Sequence, residues 1–266
     1  SPDNMTVLAG LPAGGIVQVA TTSSKPVVLV GRGRAKSPAA ITWSPDGKAI
    51  AYLDPAGEGM VAGIAIAVYG KPPLDPVIVL PPDPSARQTI RDVAWSADGD
   101  WLYYLTGPVN RNLSLGGDVF ALPAHGGAPR LLAASGWVAP VAAIDRFALA
   151  PGGKAIAFTV VAPGDDGLPR TTLWVQQVDG TTLVDVPAPH GMRITGLWWT
   201  ATGLVYRSES IEAAADAKET PFTLVRVNPD RSTTILFDSE ARVATPEASP
   251  AGTAATPAAT PLRDRE

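Results

Sequence analysis

One short pattern returns along this chain and limits its folding more than any other feature. Ile41–Tyr52, Val93–Tyr104, Phe147–Phe158 and the two-residue-shorter Leu197–Tyr206 line up, and their anchors Trp43, Trp95, Leu149 and Trp199 stand 52, 54 and 50 residues apart. A fifth copy begins inside the pattern, because Ser1-Pro2-Asp3-Asn4 matches Ser44-Pro45-Asp46-Gly47. A period of this size means a repeat architecture, in which each unit buries its faces against its neighbours.

Each copy reads as strand, tight turn, strand. Asp-Gly or Gly-Gly between two apolar runs is a strong hairpin signal. The Asp side chain bonds backbone two residues on, and Gly supplies the positive φ. Two more short runs follow each hairpin: Ile64–Tyr69 and Val77–Leu80, Asp118–Leu122 and Arg130–Leu132, Leu173–Val178 and Thr182–Val186, Thr223–Val227 and Thr233–Phe237. The first copy supplies Ile16–Ala20 and Val27–Val30 but lacks its innermost strand. The unit is therefore a four-stranded antiparallel blade, and the fold class is all-β, a β-propeller of four full repeats plus one incomplete one. Apolar residues at both parities, as in Ile41-Thr42-Trp43 and Phe147-Ala148-Leu149, fit sheets covered on both faces.

The Trp-Ser-Pro-Asp-Gly-Lys-x-Ile-Ala-Tyr pattern of Trp43–Tyr52 resembles the WD40-like (PD40) propeller repeat found in TolB and in the propellers of prolyl-oligopeptidase-type peptidases. Ser96-Ala97-Asp98-Gly99 and Ser1-Pro2-Asp3-Asn4 are near matches, whereas Ala150-Pro151-Gly152-Gly153 and Thr200-Ala201-Thr202-Gly203 are degenerate. The resemblance covers residues 1–238 and implies a propeller fold. It implies little about function, because the motif is a turn and not a site.

Residues 239–266 are mainly Thr, Ala, Pro and Ser without periodicity, a composition that builds no core and reads as a tail or linker. Either Arg242–Pro246 closes the ring by supplying the missing inner strand, or the chain belongs to a larger propeller of six to eight blades. Starting in mid-motif without Met favours the second. No run of about 18 apolar residues is present, so no membrane-spanning helix is expected.

Composition removes several function classes. With no Cys there is no thiol nucleophile and no Cys-ligated metal site. The two His, His125 and His190, fall on opposite faces of the expected propeller and make a poor pair. A net charge of −4 argues against nucleic-acid binding through a basic face. There is no Gly-x-Ser-x-Gly elbow, Walker loop or dinucleotide fingerprint. No cofactor is expected.

In a propeller the loops from second to third strand, and from outer strand to the next inner strand, share one face; here they are the long ones, and partners use such faces. Candidate binding residues there are Arg91-Asp92 and Asp145-Arg146, equivalent pairs expected just before two inner strands at the tunnel mouth. Arg193 before the last inner strand and Trp137 in the Ala134–Val138 loop complete the set. Arg offers a fork for carboxylates, and a loop Trp is a natural anchor. Asp46 and Asp98 read as turn formers on the opposite face. Trp198 reads as filling a gap beside Gly196. Glu209, Glu212, Asp216 and Glu219 read as solvated loop charges, with a helical turn within Ile211–Lys218.

The leading expectation is a non-catalytic propeller, monomeric, binding a protein or peptide in the periplasm or outside the cell. One alternative is the gating propeller of a prolyl-oligopeptidase-like peptidase, against which the Thr/Ala/Pro tail counts. The other is a carbohydrate-binding or glycosidase-type five-bladed propeller.

Overall fold

The computed structural model describes residues 1–23, 25–31, 38–55, 61–70, 72–83, 88–108, 117–137, 142–164, 169–179, 183–186, 191–211, 220–228 and 230–239. Its strands form five antiparallel sheets in chain order, which we call blades 1 to 5. Blade 1 holds β1 (Thr6–Gly10), β2 (Ile16–Ala20) and β3 (Val27–Val30). Blade 2 holds β4 (Ala39–Trp43), β5 (Ala49–Pro55), β6 (Ala62–Val68) and β7 (Val77–Leu80). Blade 3 holds β8 (Gln88–Trp95), β9 (Trp101–Pro108), β10 (Asp118–Pro123) and β11 (Arg130–Ala134). Blade 4 holds β12 (Ala143–Leu149), β13 (Ala155–Pro163), β14 (Pro169–Gln177) and β15 (Leu183–Val186). Blade 5 holds β16 (Met192–Thr200), β17 (Gly203–Ser210), β18 (Phe222–Val227) and β19 (Thr233–Asp238). Each sheet is a meander of neighbouring strands, with three strands in blade 1 and four in the others. The only helical piece among the described residues is the 3-10 turn Ser135–Trp137.

The repeated turn is built by its side chains. Ser44 Oγ donates to Asp46 at 2.7 Å and accepts the Ala49 N–H at 2.8 Å, while Asp46 accepts the Lys48 N–H at 3.0 Å. Ser96 and Asp98 repeat all three bonds, and so do Ser1 and Asp3. The Ser1 ammonium even donates to the Thr6 carbonyl at 2.8 Å, as the Ser44 amide does to Ala49. The fifth copy is thus a full turn leading into β1, whose other edge has no strand partner among the described residues.

The turns also nest from blade to blade. Gly47 lies against Pro2, Gly99 against Pro45 and Gly153 against Ala97, and all three glycines have positive φ, at 69°, 81° and 67°. The second motif position of one blade therefore faces the fourth of the next.

Between blades lie four separate apolar cores, one for each neighbouring pair. Ala51, Leu53, Ile64 and Ile66 of blade 2 meet Val93, Leu102, Tyr104 and Leu122 of blade 3, for instance. Blade 1 packs on 2, 2 on 3, 3 on 4 and 4 on 5; among the described residues blade 5 makes no broad contact with blade 1. Residues Arg242–Pro246, the candidate closing strand, lie outside the described residues, as does most of Ile211–Lys218. Ser239 still belongs to blade 5, because it pairs with Phe222 at 3.0 Å and 2.8 Å.

The anchors of the repeat are not its most deeply buried residues. Trp43, Trp95, Leu149 and Trp199 do pack at the interface with the preceding blade, but each is half-buried. They stand at the turn ends of the inner strands, Trp95 and Trp199 each lining a cleft between neighbouring blades. The deep layer is formed one step along by Ile50, Leu102, Ile156 and Leu204 on the second strands.

Candidate functional site

The inner strands carry a shared irregularity. The ladder slips between Ile90 and Asp92 in β8, between Ile144 and Arg146 in β12 and between Ile194 and Gly196 in β16. Arg91, Asp145 and Thr195 are the extra residues, four positions before the anchors. Such bulges leave one residue unpaired and re-aim the side chains around it. Arg91-Asp92 and Asp145-Arg146 therefore lie within the strands and not, as the sequence suggested, just before them. All four are exposed.

The bulge separates their roles. Arg91 folds back over its own blade, where Gly107 leaves room for the guanidinium and the Pro108 carbonyl accepts a bond from Nη2 at 3.2 Å. Asp145 pairs with Arg146 at 3.4 Å, a solvated contact of little energetic value. Asp92 accepts the Val93 N–H at 2.9 Å. Although the Asp92 side chain reaches solvent, the protein crowded around its carboxyl desolvates it and pushes the pKa up, against the Val93 bond and the charge of Arg146 on the next blade. Asp92 and Arg146 are thus electrostatic neighbours across a blade boundary.

Trp137 ends the short turn that connects β11 to β12 on the long-loop face. The Asp118 carboxylate fixes that turn by accepting the Ser135 N–H at 3.1 Å, and Ser135 is buried. Trp137 itself is 56% exposed, so it does not cap the core. Glu212, Asp216, Glu219 and His190 lie outside the described residues.

One group was not legible from the sequence. Glu209 is not a loop charge: it lies in β17 and is 7% exposed. Arg193 donates to it at 3.1 Å and Thr195 Oγ at 2.9 Å, and Arg207 forms an ion pair with it at 2.9 Å. Burial pushes the Glu209 carboxyl up, but the Thr195 and Arg193 bonds with the two arginine charges outweigh it and hold the pKa below the usual range. Arg207 also stacks over Phe222 at 4.1 Å. Arg193, expected at the rim, is held by this group and keeps half its surface in solvent. Arg193 and Thr195 on one strand and Arg207 and Glu209 on the other alternate as strand residues do, but their pairing is set by the register of β16 on β17.

The opposite, turn-side face carries clefts between splayed blades. One, of about 700 Å³, lies between blades 2 and 3 and is lined by Asp46, Lys48, Trp95, Asp98, Asp100 and His125. A smaller one of about 340 Å³ lies between blades 4 and 5 beside Trp199 and Arg231. Asp46 and Asp98 are held in their ionised forms by turn hydrogen bonds, Asp46 chiefly by the Lys48 N–H and Asp98 chiefly by Ser96. Those bonds account for both as turn formers. No group of three or more His, Cys, Asp or Glu suited to a metal ion occurs among the described residues.

Solved structures supply the frame for this geometry. The chain superposes on an oligogalacturonate lyase in complex with manganese with a TM-score of 0.62, at 14% identity over 89% of this chain and 63% of that one. It superposes on puromycin hydrolase with a TM-score of 0.63, at 15% identity over 88% of this chain and 36% of that one. This chain is a β-propeller. A puromycin-hydrolyzing peptidase of Mycobacterium tuberculosis is similar with a TM-score of 0.54, at 15% identity over 88% and 42% of the two chains. The propeller spans less than two thirds of the length of each of these proteins, and identities this low carry the fold alone. No family model matches the sequence, and no curated protein does.

Proposed function

We propose that this propeller binds a protein or peptide partner on its long-loop face, without chemistry of its own, and does so outside the cytoplasm. The observation that carries the reading is Trp137, a large aromatic side chain kept in solvent by a turn that Asp118 and Ser135 hold in place. A rigid, exposed Trp loses little freedom on binding and supplies a large contact area. Asp92 and Arg146 at one blade boundary, with Asp145 and Arg91 beside them and Arg193 on blade 5, add charges of both signs. Such charges set orientation and association rate more than affinity.

The test is site-specific. A photo-crosslinking residue at position 137 is expected to capture a partner that one at exposed Lys154 does not. Trp137→Ala is then expected to weaken that partner by about 1–2 kcal/mol, and Arg146→Glu to slow association. Affinity indifferent to both changes, or turnover of peptides or glycans by the chain, would overturn the reading.

A second reading has one observation in its favour. Among the similar structures are puromycin hydrolase and a puromycin-hydrolyzing peptidase, and in each the superposed region is under half of the whole. The propeller would then gate a peptidase. A hydrolase domain with a serine nucleophile in the same polypeptide would decide for it.

A further inference from the structure

Blade 5 presents an unusual surface on the side away from blade 4. Leu204, Tyr206 and Val225 face blade 4 in the last core, so by strand alternation Val205, Arg207, Leu224 and Arg226 face the other way. The equivalent positions of blade 2 are Ala51, Leu53, Ile64 and Ile66, and those of blade 3 are Tyr103, Leu105, Val119 and Ala121. Both sets are apolar and buried under the next blade. In blade 5, two of the four positions are arginine.

The rest of that face agrees. Trp198 replaces the small Thr42, Ala94 and Ala148 of the other inner strands, and its ring lies over Gly196, where any Cβ would collide with it. It fills the space beside Gly196 as the sequence suggested, yet stays 49% exposed. Arg193 and Arg207 share one carboxylate, Glu209, while Arg226 stands further along the face and bonds the Asn228 side-chain oxygen through Nε at 3.3 Å, so the three arginines outnumber the carboxylate among them. Among the described residues, no strand packs broadly on this face. Three arginines spaced by Trp198, Val205 and Leu224 are a poor cover for another apolar blade and a good one for a ligand that carries carboxylates between apolar side chains.

We infer that the forward face of blade 5 is a docking surface for an acidic polypeptide segment in which carboxylates alternate with apolar residues. The carboxylates meet the arginine forks and the apolar side chains meet Trp198 and Leu224. A nucleic acid fits less well, because the face embeds a carboxylate and the chain has a net charge of −4. This inference does not rest on the Trp137 reading, since Arg226 and Trp198 play no part in it.

The probe is a fluorescent peptide of sequence Glu-Leu-Glu-Val-Glu-Leu-Glu, titrated with the full chain and followed by anisotropy. Saturable binding that weakens with added salt is expected. Arg226→Glu and Trp198→Ala should each reduce affinity by about tenfold, while Lys154→Glu on the blade 4 turn leaves it unchanged. Thermal melts establish that each variant is folded; should Arg226→Glu not fold, Arg226→Gln replaces it. No binding, binding that survives both changes, equal binding of the peptide with Lys in place of Glu, or tighter binding of a short oligothymidine would overturn the inference.

Discussion

Blade 4 lacks the side chains that build the repeated turn, and restoring them tests how that turn works. Ala150-Pro151-Gly152-Gly153 keeps the backbone frame: Gly153 N donates to the Ala150 carbonyl at 2.8 Å and Ala150 N to the Ala155 carbonyl at 2.9 Å. The corresponding distances around Ser44 are 2.9 and 2.8 Å. A Cβ built on Gly152 meets nothing within 4 Å. The double change Ala150→Ser with Gly152→Asp therefore has room to install the three bonds seen at Ser44 and Ser96. Each net bond contributes about 0.5–1.5 kcal/mol when buried and less at a surface turn. Loss of the Gly152 freedom in the unfolded chain adds roughly 0.4–1 kcal/mol. A gain of about 1–2 kcal/mol is expected, which raises Tm by roughly 2–4 °C per kcal/mol for a domain of this size. The new Asp, like Asp46 and Asp98, should have a lowered folded pKa, so its share of the gain is present above the ordinary value of 3.8 and is lost as pH falls through the folded value. Calorimetry on the wild type, both single variants and the double variant gives the coupling. A gain that is the plain sum of the single changes, or one that is undiminished at acid pH, would refute the idea that the Ser–Asp pair acts as a unit.

Three further outcomes follow from the packing. Trp95→Ala should cost about 2–4 kcal/mol in chemical denaturation, less than a fully buried Trp, because it is only partly buried beside the cleft between blades 2 and 3. Gly153→Ala should destabilise by about 1–2 kcal/mol, since its φ is 67° and the Ala97 Cβ lies 3.1 Å from the new methyl position. Glu209 has a lowered folded pKa, so its stabilisation is fully present above 4.5 and lost as pH falls through the folded value; Glu209→Gln should flatten that part of the stability–pH curve measured by urea melts.

The strands were readable because each is a short apolar run between turn residues, and the observed ranges follow those runs closely at Val77–Leu80 and Thr233–Asp238. The inner-strand bulges were not. Arg91 and Asp145 look like loop charges in sequence, and a ladder slip has no residue signature because the neighbouring strand sets it. Glu209 was misread for a related reason. Its stretch is polar, and only the cross-strand pairing of Arg193 with Glu209 shows that the polarity is internal. Trp43 and Trp95 are half-buried because they stand at the turn ends of inner strands, Trp95 beside the cleft between blades 2 and 3, a feature that a repeat pattern does not encode. Trp137 was placed on the correct connection, but its exposure depended on the Asp118–Ser135 bonds that hold its turn.

The nested turns give the array a direction. Because Pro2 seats on Gly47, Pro45 on Gly99 and Ala97 on Gly153, every blade from 2 to 4 is shaped by the one before it. With each core shared by only two blades, cohesion passes along a line instead of radiating from one centre. Among the described residues, blades 2, 3 and 4 are each held from both sides and blades 1 and 5 from one, with blade 3 furthest from either end. Fraying therefore starts at an end of the series, and blade 3 is the last to lose its amide protection.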